Sequence, residues 1–270
     1  MKKTFITYGD DNYADSLKRI KAEAEATGLF DEVRLYTPAD LPEPFLTYTR
    51  TYRRGGGYWL WKPFVIKDAL DRAAEGDVVV YADAGCTLTP HNDWTSYFDV
   101  LKRKEELFFL APGKSRKWCK REVFDFFHTP NDLWKKASQI QATFIMAAKR
   151  GGNEVITKWY ETALNHPELF TDADSSTPQD ARFREHRHDQ AVLTACVCTA
   201  THPWRFGLKV EKVEHRYATG QAVFASRISN SATRGHTYRL KGRTVSLLEH
   251  IIVNPLRVLS TRIIFTLSSL

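Results

Sequence analysis

Apolar residues fall along this chain in two alternating patterns. Short runs, KTFITY at 3–8, EVRLY at 32–36 and VVVYA ending at Ala82, read as strands. Between the first two, Tyr13, Leu17, Ile20 and Ala24 recur at three- and four-residue spacing over 12–27, which predicts a helix closed by Gly28 as its C-cap. A second helix is expected over 62–74, with Pro63 in its first turn, where a missing N–H costs nothing. Strand, helix, strand, helix, strand with near-continuous apolar strands predicts a mainly parallel sheet covered on both faces.

The pattern continues with a helix near 91–104, a strand at 107–111 and a basic loop over 112–121. A helix is expected over 121–137, a strand over 140–148, a helix over 151–165 and a short helix over 186–198 entered through HRHDQ. Residues 38–57 and 170–184 read as loops, and no internal repeat is visible.

The 270 residues, 43% hydrophobic and 13% aromatic, suit one large globular domain or two small ones and exclude a disordered chain. Charge changes the picture at one end. Residues 201–270 carry 11 Lys/Arg against 3 Asp/Glu, a balance of +8, whereas residues 1–200 carry 28 against 29. The basic excess belongs to the C-terminal quarter, so an anionic surface is the expected contact rather than nucleic acid bound by the domain body. Cys86, Cys119, Cys196 and Cys198 form no CxxC pair; a zinc site is not expected, and the cysteines read as reduced thiols of a cytoplasmic protein. MKKTFITYGDDN has no apolar signal region, and no run of about 18 uncharged apolar residues exists.

Three stretches carry candidate chemistry. In GDVVVYADAGC, Asp83 follows the third strand and precedes the small residues Ala84 and Gly85. Ligands of open parallel sheets bind beyond the carboxyl ends of strands, and the same edge should hold Thr7, Tyr8, Gly9 and Asp10. In RRGGGYWLWKP, Arg53, Arg54 and Lys62 offer charge for a diphosphate, Tyr58, Trp59 and Trp61 flank them, and the glycines could present free N–H groups to phosphate. In EHRHDQAVL, His186, His188, Asp189 and Gln190 open an apolar helix; the two histidines, two residues apart, do not share a helix face and make a poor metal pair.

Together, YADAGC, GGGYWLWKP and HRHDQAVL resemble nucleotide-sugar-dependent glycosyltransferases of the GT-A fold, especially bacterial enzymes of capsule and lipopolysaccharide synthesis. The resemblance spans roughly residues 3–225. It implies an α/β fold with a Rossmann-like, mainly parallel central sheet flanked by helices, a domain over 1–225, and a basic helical extension over 226–270. It implies a hexosyltransferase using a nucleotide-diphosphate sugar and a glycan or lipid-linked acceptor, with Asp83 anchoring ribose and Mn2+ or Mg2+. Arg54 and Lys62 would balance diphosphate charge, Tyr8 would pack near the base, and His188, Asp189 and Gln190 would face the donor sugar. The family's Asp-X-Asp motif has Gly85 at its second acid here, a departure that bears on metal use. A neutral Gln190 cannot serve as general base, so a retaining course fits it; an inverting one would need an acid such as Glu122, Asp125, Asp172 or Asp174.

Two other readings stand beside it. One is a phosphoesterase with His186, His188, Asp83 and Asp10 as metal ligands; the other is a non-catalytic module binding polyanion or membrane. The basic stretch 111–127 reads either as a lid or as a solvated loop. The tail 239–270, rich in Leu, Ile and Val with Arg257 and Arg262, reads either as an amphipathic helix on anionic lipid or as helices packed on the domain.

Overall fold

A computed structural model of the chain describes residues 1–129, 131, 133–173, 175, 177–217, 219–230, 244–245 and 252–268. The first half runs β1 (Lys3–Tyr8), α1 (Ala14–Ala26), β2 (Glu32–Tyr36), α2 (Phe45–Thr51), the single turn α3 (Gly55–Tyr58), α4 (Trp61–Arg72), β3 (Val78–Ala82), β4 (Thr87–Leu88), α5 (Asp93–Leu101) and β5 (Glu106–Lys114). Then come the single turn α6 (Ser115–Trp118), α7 (Arg121–Phe126), β6 (Ser138–Ile140), β7 (Phe144–Ala148), α8 (Glu154–Asn165) and α9 (His188–Cys198). The last elements are β8 (Phe206–Val210), β9 (Arg216–Tyr217), β10 (Val223–Phe224), β11 (Thr244–Val245) and α10 (Asn254–Ser268).

Seven strands make the central sheet in the order β2-β1-β3-β7-β5-β6, with β8 also paired to β5. Strands β1, β2, β3, β5 and β8 run one way, and β6 and β7 run the other. The sheet is therefore mainly parallel, as expected, with an antiparallel insertion. Strand alternation divides its side chains between two cores. Val79 and Tyr81 of β3 face the core that holds α4, α8 and α9, while Val78, Val80 and Ala82 face the one that holds α1 and α5. All five β3 residues are buried, which explains why that strand reads as a continuous apolar run.

Several expectations change. The strand expected over 140–148 is two strands, β6 and β7, each antiparallel to β5. The break leaves the Thr143 carbonyl to accept from Asp83 N at 3.0 Å. The helix expected over 121–137 stops at Phe126, short of Pro130, which disfavours helix in the residue before it. The segment 111–127 carries regular structure rather than a loop throughout, in the end of β5, α6 and α7. It continues β5 to Lys114, and the buried Lys120 donates to the carbonyls of Glu168 at 2.7 Å and Thr171 at 3.0 Å. All four cysteines are free and buried.

Residues 226–230 run on from β10 as a strap across α1. Ser16 Oγ donates to the Ile228 carbonyl at 2.7 Å, and Asn230 Nδ2 donates to the Asp11 carbonyl at 2.6 Å. Packing therefore marks no boundary at residue 225. Of the tail, 239–243, 246–251, 269 and 270 lie outside the described residues. Helix α10 docks on the domain by Phe265 and Thr261, both buried, and Arg257 donates to the Ala111 carbonyl at 3.1 Å. No helix among the described residues is long and apolar enough to cross a membrane.

One buried acid gives the fold a pH signature. Glu106 sits on β5 under the start of α8 and accepts from Ile156 N at 3.1 Å. Burial raises its carboxyl from 4.5 to about 8, with Glu105 and Glu154 adding to the rise and the Ile156 N–H opposing it. A raised folded value means that the folded state holds the proton longer, so its contribution is complete below 4.5 and is lost as pH rises through about 8. Across that window the wild type should lose up to about 1.4 kcal/mol per pH unit. Glu106→Gln should match wild type in chemical denaturation at pH 5 and exceed it at pH 8.5; parallel curves would refute the assignment.

Candidate active site

Strands β1 and β3 end side by side, since Ile6 pairs with Tyr81. Just beyond those ends lies a cavity of about 620 Å³, within the range of small-molecule sites. Its wall includes Tyr8, Gly9, Asp83, Ala84 and Gly85 from the strand ends, Trp61 and Lys62 from α4, and His188, Asp189 and Gln190 from α9. The three sequence stretches, far apart in the chain, meet here.

Lys62 joins them. Its side chain is 3% exposed, and its Nζ lies 2.6 Å from Asp189 Oδ2, 3.1 Å from Asp83 Oδ1 and 3.2 Å from the Ala142 carbonyl oxygen. Burial opposes the ammonium charge, but Asp189 and Asp83 together hold its pKa above the ordinary lysine value. Tyr81 donates its hydroxyl to Asp83 Oδ1 at 2.6 Å; burial, and then Asp83, keep that phenol protonated. Asp83 therefore has one oxygen occupied by protein, and its side chain stays 34% exposed at the cavity.

The Gly-rich turn works differently from expectation. Its N–H groups at Gly56, Gly57 and Tyr58 bond to the carbonyls of Arg53, Tyr52 and Arg54, so they are not offered to a phosphate. Gly57 sits at φ +94, and a Cβ there would meet the Tyr48 backbone carbon at 2.8 Å. The turn thus packs against α2 and brings Trp61 to stack on Tyr8, ring centroids 3.8 Å apart. Gly85 also has a different reason. A Cβ there would lie 3.1 Å from Arg227 Cα, because the strap crosses above it and Ile228 N donates to the Gly85 carbonyl. The close approach is made by the chain itself, and any side chain at position 85 would require the strap to shift by a few tenths of an ångström.

Around α9, His188 Nδ1 donates to the Phe170 carbonyl at 2.8 Å, which leaves a lone pair on Nε2. Burial lowers the His188 pKa, against the pull of that hydrogen bond, so the ring is neutral. Gln190 Nε2 donates to Gln139 Oε1 at 2.7 Å, an amide pair that fixes the Gln190 side chain. Among the described residues, five non-glycine positions have left-handed backbone, and three of them, Trp59, His188 and Arg227, line the cavity. Strain concentrated at one cleft is a signature of function.

Other candidates lie elsewhere. Thr7 is fully buried on β1 and Tyr58 packs its ring on Tyr52 and His188; neither lines the cavity. Arg54 does line it, in an ion pair with Asp172 at 2.8 Å. Glu122 and Asp125 are on α7 and off the cavity wall, and Asp174 lies outside the described residues. His186 contacts the Leu169 carbonyl and Lys120 N with its two ring nitrogens and does not reach the cavity. That removes the expected His/Asp cluster of a phosphoesterase, and no group of three His, Cys, Asp or Glu among the described residues could hold a metal. Sequence reading passed over Tyr81, Arg187 and Arg227. The first two stand inside quoted motifs; nothing local marks Arg227, which the strap delivers.

The donor set fits a hard divalent cation only when phosphate oxygens share it. Lysines and arginines along the wall number five (Arg53, Arg54, Lys62, Arg187, Arg227) and so do the acids (Asp10, Asp83, Glu185, Asp189, Glu214), so the wall leaves a dianionic diphosphate uncompensated. Asp83 has a carboxylate oxygen to offer, and Mg2+ is commonly held by one or two carboxylates plus substrate phosphates.

No protein-family model and no curated protein sequence matches the chain. Similar solved structures include several glycosyltransferases. One is a glycosyltransferase involved in glycosylation of the major capsid of PBCV-1, at 12% identity and TM-score 0.45, covering 80% of this chain and 86% of that one. Another is the galactosyltransferase LgtC with donor and acceptor sugar analogues, at 13% identity and TM-score 0.43, covering 80% and 76%. A third is mouse xyloside xylosyltransferase 1, at 9% identity and TM-score 0.41, covering 93% and 100%.

Proposed function

We propose that this protein is a glycosyltransferase that moves a hexose from a nucleotide-diphosphate sugar to a hydroxyl of a surface glycan or of its lipid-linked precursor. The observation that carries the reading is the convergence of Asp83, Lys62 and Asp189 on one cavity wall, with Gln190 beside them.

The chemistry asks for three things. The sugar must be oriented, the departing diphosphate must be stabilised, and the acceptor proton must find a base. Asp189, held by Lys62, is placed to accept hydrogen bonds from sugar hydroxyls. Lys62, held between Asp83 and Asp189, and Arg54, paired with Asp172, lower the negative charge that the diphosphate would meet at this wall, and the remaining compensation falls to a bound cation. Tyr8, stacked on Trp61, offers an aromatic surface to the base. Asp83 would take the ribose and hold a divalent cation; when bound, such a cation neutralises the diphosphate.

Gln190 favours a retaining course. As the C1–O bond to the phosphate breaks, the acceptor oxygen bonds C1 on the same face, and its proton passes to the departing phosphate oxygen. Gln190 accepts no proton in this scheme; it lies against the reacting carbon, fixed by Gln139. The neutral His188, with Nε2 3.7 Å from Asp172, borders the same space and can accept a hydroxyl hydrogen bond.

The test is a donor-hydrolysis and transfer screen with UDP-, GDP- and CDP-sugars, with and without Mn2+. One donor class should turn over, and Asp83→Ala should lower that turnover at least about 100-fold. Full activity in Asp83→Ala, or no turnover of any donor, would contradict the proposal.

A further inference from the structure

A smaller cavity, of about 110 Å³, lies where three stretches of chain meet. Arg116 of α6, Arg121 of α7, Lys135 of the short turn Leu133–Lys136, and Gln179 and Asp180 of the segment before α9 all line it. None of these five lines the larger cavity. Pockets for drug-sized molecules start at about 300 Å³, so this one has room for a single small group.

Its wall is unbalanced in charge. It carries three cations against one acid, where the larger cavity carries five against five. Asp180 Oδ1 already accepts from Arg182 N at 2.8 Å. Of the acids close by, Asp125 accepts from Arg121 Nε at 2.6 Å, and Glu122 accepts from Gln179 Nε2 at 3.4 Å. The Arg121–Asp125 pair is 42% and 46% exposed at its side chains, so solvent screens it. Arg116 Nε is buried and has no hydrogen-bond partner among the described residues. A buried guanidinium donor without an acceptor costs free energy until something supplies one. Burial, and then Arg257 and Arg116, also lower the pKa of Lys114, so positive charge accumulates on this side of the domain.

The smaller cavity lies on a seam that serves the larger one. Arg184 N donates to the Lys117 carbonyl at 2.9 Å, Arg187 N to the Trp118 carbonyl at 3.0 Å, and Arg121 N to Gln179 Oε1 at 2.8 Å. These bonds hold residues 179–187 against α6 and α7. The same segment delivers Arg187, His188 and Asp189 to the wall of the larger cavity. Because Gln179 takes the Arg121 backbone N–H, the positive groups of the smaller cavity are side chains.

We propose that the smaller cavity binds one tetrahedral oxyanion, phosphate or sulfate, held by Arg116, Arg121 and Lys135, and that its occupancy fastens residues 179–187 to α6 and α7. A guanidinium fork matches two oxygens of such a group, and an ammonium meets a third. The oxyanion brings the acceptor that Arg116 Nε lacks and neutralises the surplus charge of the wall. A nucleotide or a disaccharide is too large for the space. The group can arrive free or as a monoester on a sugar that stays outside, and its chemistry at the site is the same. The inference does not depend on the donor reading, since oxyanion binding is measured without nucleotide sugar.

The experiment is thermal melting of the full chain in phosphate or sulfate against chloride at equal ionic strength, with hydrogen exchange followed in the same buffers. Phosphate and sulfate should raise the melting temperature in a saturable way, and chloride should not. Arg116→Met and Lys135→Gln should each shift the half-saturating phosphate concentration up about tenfold or more, and either one suffices if the other fails to fold. Arg54→Gln, in the larger cavity, should leave the response unchanged. Backbone amides of 179–187 should gain protection with phosphate in wild type and not in the two variants. Glucose 6-phosphate separates the two sources: a response equal to that of phosphate supports a monoester, and none supports the free ion. No response beyond that of chloride, a wild-type response in either folded variant, or a response lost in Arg54→Gln would each overturn the proposal. Phosphate that binds without protecting 179–187 would overturn the fastening.

Discussion

Lys62→Met should destabilise the protein by about 3–5 kcal/mol at neutral pH, the usual cost of removing one partner from a buried ion pair. Methionine fills similar volume, so the loss is electrostatic. Asp189, 9% exposed at its side chain, would be left without its cation, while the more exposed Asp83 could turn to solvent. The sign of the pH dependence follows. In wild type the raised Lys62 pKa contributes stability that is present below 10.5 and lost as pH rises through the folded value. In the variant the deficit should be large at neutral pH and shrink on acidification, because a protonated Asp189 needs no counter-charge. Adding Asp189→Asn to Lys62→Met should restore much of the stability. Chemical denaturation at several pH values reads this out. A single variant as stable as wild type at pH 7 would mean that the buried triad does not exist.

Asp189→Asn should leave the fold nearly intact yet lower transfer by about 100- to 1,000-fold. The amide is isosteric, and Lys62 keeps Asp83 and the Ala142 carbonyl as partners. What is lost is a carboxylate able to accept from donor hydroxyls, together with the strong pairing that fixes Lys62. Nucleotide diphosphate without a sugar should bind the variant within a few-fold of wild type, whereas nucleotide sugar should lose more. Turnover lowered by that factor in a variant that still unfolds cooperatively well above the assay temperature would support this assignment. Activity within about threefold of wild type would remove Asp189 from the site.

Much of this arrangement was legible before any coordinates. Apolar runs alone predict β1 and β2, and Asp83 falls at a carboxyl strand edge because it directly follows the apolar run of β3. Lys62 is legible as a cation in a Gly-rich aromatic stretch and HDQ as the polar opening of an apolar helix, and their meeting requires only that α4 and α9 begin at the same edge. What could not be read came from non-local packing. Gly85 looks in sequence like room for a ligand, yet the strap from residues 227–228 fills that room. Three consecutive glycines suggested phosphate-binding amides, yet the turn closes its own hydrogen bonds. The run 140–148, IQATFIMAA, is no longer than one strand, so periodicity alone cannot reveal that the chain changes strand near Ala142 to give Lys62 a carbonyl. Thr7 and Tyr8 are neighbours in β1, and alternation sends only one of two adjacent side chains toward a given face.

The most direct measurement is a crystal structure of the protein soaked with the nucleotide-diphosphate sugar that it turns over best. The account predicts the diphosphate in the cavity beyond β1 and β3, the base against Tyr8 and Trp61, and the sugar within hydrogen-bond reach of Asp189 and Gln190. A donor bound at any other surface, with this cavity holding only solvent, would contradict it.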